Sequence, residues 1–155
     1  MVQLNDLIQQ VMRLSRHDLL SNGISKTVKY QENLPPVCAD YTQLQQVISN
    51  LIKNAIDAMA CMPLGQRRVR LATGSDGNCV SFYIHDSGPG IADQDRERIF
   101  DAFFTTKSTG MGLGLSICRT IMEQHGGTLR LTNTGRNGST FEIALPILPI
   151  EPINC

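Results

Sequence analysis

Nothing in this sequence leans toward one charge, and functions that need such a bias lose their support first. Fourteen lysines and arginines face fourteen aspartates and glutamates, so bulk charge favours neither a nucleic acid partner, nor an anionic membrane surface, nor a disordered acidic tail. No apolar run approaches the roughly 20 residues that span a bilayer, and the N-terminus lacks the charged-then-apolar pattern of a secretion signal. The expectation is a cytoplasmic chain with no direct membrane contact. The five cysteines, Cys38, Cys61, Cys79, Cys118 and Cys155, are odd in number, scattered and free of CxxC pairs. That pattern argues against a disulfide framework and against a zinc site. Internal repeats and low-complexity segments are also missing.

What is present suits one domain, since 155 residues with a 41% hydrophobic fraction can bury a real core. Leu4, Leu7, Ile8, Val11 and Leu14 predict an amphipathic helix that stops near Asn22 and Gly23. A strand follows around residues 26 to 31, and Pro35 and Pro36 break the chain before Asp40 opens a second helix. VRLAT (69 to 73) and VSFYIH (80 to 85) alternate around the turn GSDGN and predict an antiparallel hairpin. A short polar helix is expected from about Asp93, then a glycine- and threonine-rich loop with Phe100, Phe103 and Phe104 anchoring it to the body. A helix over 113 to 125 ends at Gly126 and Gly127, and strands near 128 to 133 and 139 to 145 close the domain. Mixed helices and strands without strict alternation imply an α+β fold, with helices packed on one face of a mixed sheet.

The second helix carries the first chemical signal. In LQQVISNLIKNAIDAM (44 to 59), Leu44, Val47, Ile48, Leu51, Ile52, Ala55 and Met59 recur at helical spacing, and Asp40 followed by Gln43 suits a capping box. Asn50, Asn54 and Asp57 then form a polar row on one edge of the apolar stripe. Amides at a core margin often do no more than hydrogen-bond a neighbouring loop. Two in register can also offer neutral hard oxygens to a Mg2+ ion that phosphate oxygens hold from the other side.

Two glycine-rich stretches extend that reading. In DSGPGI (86 to 91), Asp86 ends a strand, where its carboxylate can accept a hydrogen bond from an exocyclic amine such as adenine's, and the glycines leave room for a flat ring. The same residues also make ordinary tight turns. GMGLGLSI (110 to 117) sets Gly110, Gly112 and Gly114 at a helix entry, where unpaired amides and the helix dipole favour an anion such as phosphate. Its spacing is neither the dinucleotide GxGxxG nor the GxxxxGK[ST] loop. Lys107, just before it, can bring a positive charge to a terminal phosphate.

Taken in order, NLIKNAIDAM, DSGPGI, IFDAFFTTK and GMGLGLSI resemble the N, G1, F and G2 boxes of the ATP-binding catalytic domain of bacterial sensor histidine kinases. HGGTLRL and GSTFEIALP are similar to its closing strands, so the resemblance spans residues 2 to 146. It implies the Bergerat fold shared by gyrase, heat-shock chaperones, histidine kinases and mismatch-repair ATPases. That fold is a two-layer α/β sandwich: a mixed, mostly antiparallel sheet of five strands, helices on one face, and a flexible ATP lid over residues 92 to 111. Residues 1 to 4 would end a linker from a missing dimerisation and phosphoacceptor domain, 5 to 146 would form the catalytic domain, and 147 to 155 a tail.

By position, the resemblance implies that Asn54 holds Mg2+ with Asn50 supporting it, and that Asp86 binds the adenine amino group. Gly88 and Gly90 would shape the adenine pocket. Lys107 would meet the terminal phosphate next to Thr106, while Gly110, Gly112 and Gly114 would pass backbone amides along the triphosphate, with Leu115 in the same box. Asn50, Asn54 and Lys107 are thereby the catalytic candidates, and ATP and Mg2+ the cofactors. Hydrolysing members look like ExxxNA, with a glutamate to activate water; here that position is Asn50, which cannot take a proton and leaves ATP for an imidazole nucleophile. Many histidine kinases carry a lysine three residues after the metal asparagine. This chain has Asp57 instead, which leaves more of the phosphate charge to Lys107. The short lid looks most like that of nitrogen- and oxygen-regulatory sensor kinases.

A phosphoacceptor histidine in an HExxxPL-like context is not found. His17 in SRHDLLSNG lacks the proline, His85 reads as a structural or pocket-margin residue, and His125 as a helix cap. The expected partners are therefore a separate helical-hairpin domain of the same kinase and a downstream response regulator. Three other readings stand beside this one: a gyrase- or mismatch-repair-like ATP hydrolase, which Asn50 opposes; a non-enzymatic nucleotide-binding module; and an anti-sigma-type protein serine kinase, whose lid is less similar.

Overall fold

The computed structural model describes residues 1–104 and 114–147. The elements run α1 (Leu4–Leu14), α2 (Arg16–Ser21), β1 (Ser25–Lys29), α3 (Tyr41–Ala58), β2 (Arg68–Ser75), β3 (Cys79–Asp86), α4 (Gly114–Gln124), β4 (Thr128–Gly135) and β5 (Gly138–Pro146), with two short 3-10 turns, Asp93–Asp95 and Arg98–Phe100, after β3. One five-stranded sheet has the order β1-β2-β3-β5-β4. β1 and β2 are parallel because α3 intervenes, and the other three pairings are antiparallel.

Alternation makes the sheet two-sided. Along β3, Val80, Phe82, Ile84 and Asp86 are buried, whereas Ser81, Tyr83 and His85 lie on the more open face. The buried face meets Leu44, Val47, Ile48, Leu51, Ile52, Ala55 and Met59 of the α3 segment, together with Leu4, Leu7, Ile8 and Val11 of α1 and Cys118, Ile121 and Met122 of α4. The expected α+β sandwich is what forms. β2 and β3 join at a turn in which the Asp76 carboxylate accepts the Asn78 and Cys79 amides, both at 2.8 Å.

Some boundaries differ from the sequence reading. The first helix breaks at Ser15, so Leu14 is 66% exposed and Met12 fills the core position instead. The helix expected from Asp93 is a pair of 3-10 turns, since Asp93, Gln94, Asp95 and Arg96 provide no apolar stripe to bury. Within the segment expected as linker, Val2 is buried and exchanges two backbone hydrogen bonds with Val37, at 2.7 and 3.0 Å. Both α2 and α4 end in Schellman motifs. The Ile24 amide donates to the Leu19 carbonyl (2.9 Å) and the Gly127 amide to the Met122 carbonyl (2.8 Å), with Gly23 and Gly126 left-handed between them.

The sheet also demands glycine at a position the sequence reading passed over. Gly138 starts β5 at φ +105°, and a Cβ there would lie 1.7 Å from the Asp86 carbonyl oxygen. Replacing Gly138 by alanine should destabilise the protein by roughly 3 kcal/mol or more, because backbone must move. Gly77→Ala, with φ +90° but open space around it, should cost only the left-handed strain of about 1–2 kcal/mol. Urea denaturation of both variants checks the difference; equal losses would show that β5 does not press on β3 there.

Candidate functional site

Helix α3 places the asparagine row. The Asp40 carboxylate caps it by accepting the Gln43 amide at 2.9 Å. The other half of the expected capping box is not made by Gln43: the Asp40 amide donates to His125 Nε2 at 3.0 Å. His125 Nδ1 donates to the Ile121 carbonyl at 2.7 Å, so His125 holds the neutral tautomer that accepts at Nε2. The start of α3 is thereby tied to the end of α4, and His125 caps its own helix as expected. With the apolar stripe buried, Asn50 and Asn54 are half-buried at its margin and Asp57 is exposed. The Asn50 Nδ2 amide donates to the Cys118 sulfur at 3.6 Å.

Asp86 ends β3 on the helix-facing side and is only 3% exposed. Its Oδ1 accepts the Gly88 amide at 2.9 Å. Burial pushes its carboxyl above the usual range, while the Gly88 amide, His85 and the Ser139 amide pull it back. The turn that follows is packed against protein on two sides. A Cβ on Gly88 would meet the Ala58 carbonyl at 2.8 Å, and one on Gly90, at φ +84°, would meet the Gly135 carbonyl at 2.1 Å. The room these glycines leave is thus taken by the chain's own backbone, at the end of α3 and at the β4–β5 hairpin. Ser87 Oγ donates to the Gln66 carbonyl at 2.7 Å and accepts the Arg68 amide at 2.8 Å, and the Ile91 amide donates to Thr134 Oγ1 at 2.7 Å.

These contacts bring the end of α3, the DSGPGI turn and the β4–β5 hairpin together, and α4 lies beside α3. Gly114 opens α4 in an exposed position with nothing near its missing Cβ, and Leu115 is half-buried against the core. Thr106, Lys107, Gly110 and Gly112 lie outside the described residues, as does the end of the expected lid, 105 to 111. Phe100 packs edge-on against Phe141 at 6.4 Å under the Arg119 guanidinium, and Phe104 is half-buried under Arg98. Phe103 is not an anchor: at φ +67° its side chain leaves the body and is 72% exposed.

Ser87, Thr134, Gly135, Gly138 and Cys118 escaped the sequence reading. Cys118 alone left a signal, at helical spacing with Leu115, Ile121 and Met122. A cavity of about 410 Å³ lies between the 3-10 turns, α4 and β4, lined by Arg96, Phe100, Arg119, Arg130 and Leu131 among others. None of Asn50, Asn54 or Asp86 forms its wall, so it is separate from the asparagine row.

Residues 39–149 match the family described as histidine kinase-, DNA gyrase B-, and HSP90-like ATPase. The sensor histidine kinase ZraS of Escherichia coli K12 is 40% identical over 147 residues, which are 94% of this chain and 30% of that protein. The chain therefore spans under a third of the curated relative's length. The nucleotide-free catalytic domain of the histidine kinase ThkA superposes with a TM-score of 0.83 at 36% identity, over 94% of this chain and 93% of that one. ThkA in complex with the response regulator TrrA gives 0.81 at 32% identity, covering 97% and 42%. Full-length ShkA in complex with AMPPNP gives 0.80 at 30%, covering 94% and 30%. This chain belongs to the histidine kinase-, DNA gyrase B-, and HSP90-like ATPase family, as an ATP-binding catalytic domain of the sensor histidine kinase type.

Proposed function

We propose that this domain binds Mg·ATP and transfers the γ-phosphoryl group to a histidine on a separate helical-hairpin domain of the same kinase, with a response regulator as the downstream acceptor. The observation that carries the choice of chemistry is Asn50, whose amide donates to the Cys118 sulfur. The family holds both hydrolases and kinases. An amide has no base to offer water, so the γ-phosphorus is left for an imidazole nitrogen: the N–P bond forms as the bond to the ADP oxygen breaks.

Mg2+ suits the donors on chemical grounds. Amide oxygens on a half-buried helix margin are hard, neutral ligands, and Mg2+ keeps most of its octahedron for water and phosphate. Asn54 would be the protein ligand, supported by Asn50, and the ion would offset charge on the triphosphate. Asp86 would accept the adenine amino group next to the turn shaped by Gly88 and Gly90. Gly110, Gly112 and Gly114 would donate amides to the phosphates with Lys107 and Thr106, and Leu115 would hold the start of α4 in place. In this reading residues 5 to 146 are the catalytic unit, 92 to 111 its lid, and 147 to 155 a tail. No helix among the described residues is long and apolar enough to cross a membrane; the domain would act in the cytoplasm.

Three measurements test the proposal. Asn54→Ala should weaken Mg-dependent ATP binding by tenfold or more, roughly 1.4 kcal/mol, in calorimetry; unchanged affinity would refute the ion's placement. Labelled ATP should mark the separately expressed hairpin domain of the parent kinase only when this domain is added, and strong self-labelling of the domain alone would contradict the missing acceptor.

The third uses Asp86→Asn. Because the folded carboxyl titrates above the ordinary value, the ionised form costs the fold stability. That cost grows as pH rises from the ordinary aspartate range through the raised value, and is complete above it. The variant's stability advantage should therefore appear across that window and persist at neutral pH, while its ATP affinity falls. Wild-type ATP affinity should drop as pH is lowered through the raised value. A variant that keeps full ATP affinity would remove Asp86 from the adenine site.

A further inference from the structure

The Asn50 carboxamide has two ends of nearly equal shape, one a donor and one an acceptor, and only its neighbours decide which way it faces. At Nδ2 the neighbour is Cys118, buried in α4 one turn after Gly114. Its own thiol hydrogen is directed to the Val47 carbonyl at 3.8 Å, a backbone group of α3 one turn before Asn50. With that hydrogen engaged, the sulfur offers only lone pairs to Asn50. The relay from Asn50 to Cys118 to Val47 therefore has one polarity. An amide that donates toward α4 turns its carbonyl oxygen the other way.

We propose that Cys118 is a positioning residue for Asn50: its sulfur holds the Nδ2 end of the carboxamide against α4 and so keeps Oδ1 turned outward, on the side of the ion and triphosphate. This rests on the Mg·ATP reading given above and adds to it a residue that never touches the ligand. It also gives α4 a second task. Besides presenting amides at its first turn, the helix sets the orientation of a side chain on α3. Sulfur is a weak acceptor, so the effect is a bias in orientation and its size is modest.

Three substitutions of Cys118 separate positioning from packing. Cys118→Ser keeps a donor and an acceptor in a smaller side chain. Cys118→Val fills the space with neither, and Cys118→Ala removes both and leaves a cavity. The 155-residue chain is titrated with ATP by calorimetry, once with Mg2+ and once with EDTA, and the Asn50 side-chain amide resonances are followed by NMR, assigned with Asn50→Asp.

Val and Ala should shift those resonances and raise the Mg2+ concentration for half-maximal ATP binding by about three- to tenfold, at or below the low end for groups that orient a metal ligand. Metal-free ATP affinity should stay as in wild type, and Ser should restore the Mg2+ dependence. Parallel loss of metal-free and metal-bound affinity in Val and Ala would make Cys118 a packing residue only and overturn the proposal, as would unmoved Asn50 resonances. If wild type itself binds ATP with no Mg2+ dependence, or Asn54→Ala changes nothing, the underlying Mg·ATP reading has failed. Intact wild-type and Asn54→Ala behaviour with a silent Cys118→Val sinks the positioning role alone.

Discussion

Helix α3 must bury one stripe against the sheet and keep an adjoining polar row clear of it, and the other features of the site follow from that division. Its buried residues come from every third and fourth position, and their contact with Phe82 and Ile84 of β3 sets the helix's rotation about its axis. Once that rotation is set, Asn50 and Asn54 can only emerge at the margin. The helix is then held at both ends by polar contacts. Asp40 and His125 fasten its start to α4, and just past its end the Ala60 and Met62 carbonyls accept from the Arg67 guanidinium.

The second element is the crossing of backbones at Asp86. β3 ends where β5 begins, so the Gly138 backbone lies against the Asp86 carbonyl while the carboxylate turns toward the helix layer and takes the Gly88 amide. Such a carboxylate is buried and held chiefly by backbone amides, which leaves its position rigid and its charge costly. A group of that kind serves binding more than stability. In the proposed reading Asn50 is its opposite: Asp86 is a buried acid, while the position from which a hydrolase would activate water carries an amide that donates to a thiol.

Much of this was legible in the residue order. The α3 stripe, the Asp40 cap, the β2–β3 hairpin and the glycine stops of α2 and α4 follow from local rules that act within a turn or two, and they appear close to where those rules put them. The errors were of a different kind. Leu14 fits the helical period but lies past the point where the chain bends at Ser15. Phe103 looks like its neighbours Phe100 and Phe104, yet its left-handed backbone turns it outward. Gln43 had the right spacing for a capping box, but His125, 85 residues away from Asp40, took the hydrogen bond.

Residue types and spacing by themselves determined which side chains could do chemistry here: two amides in register, a carboxylate at a strand end, glycines at a helix entry. Those properties are covalent or local, so no fold is needed to see them. Tertiary structure alone decided what surrounds them. That Gly90 is crowded by Gly135, that Gly138 leaves Asp86 its place, and that a cysteine faces Asn50 are contacts between segments 45 to 68 residues apart. Close packing brings such segments together, and spacing along the chain carries no record of it.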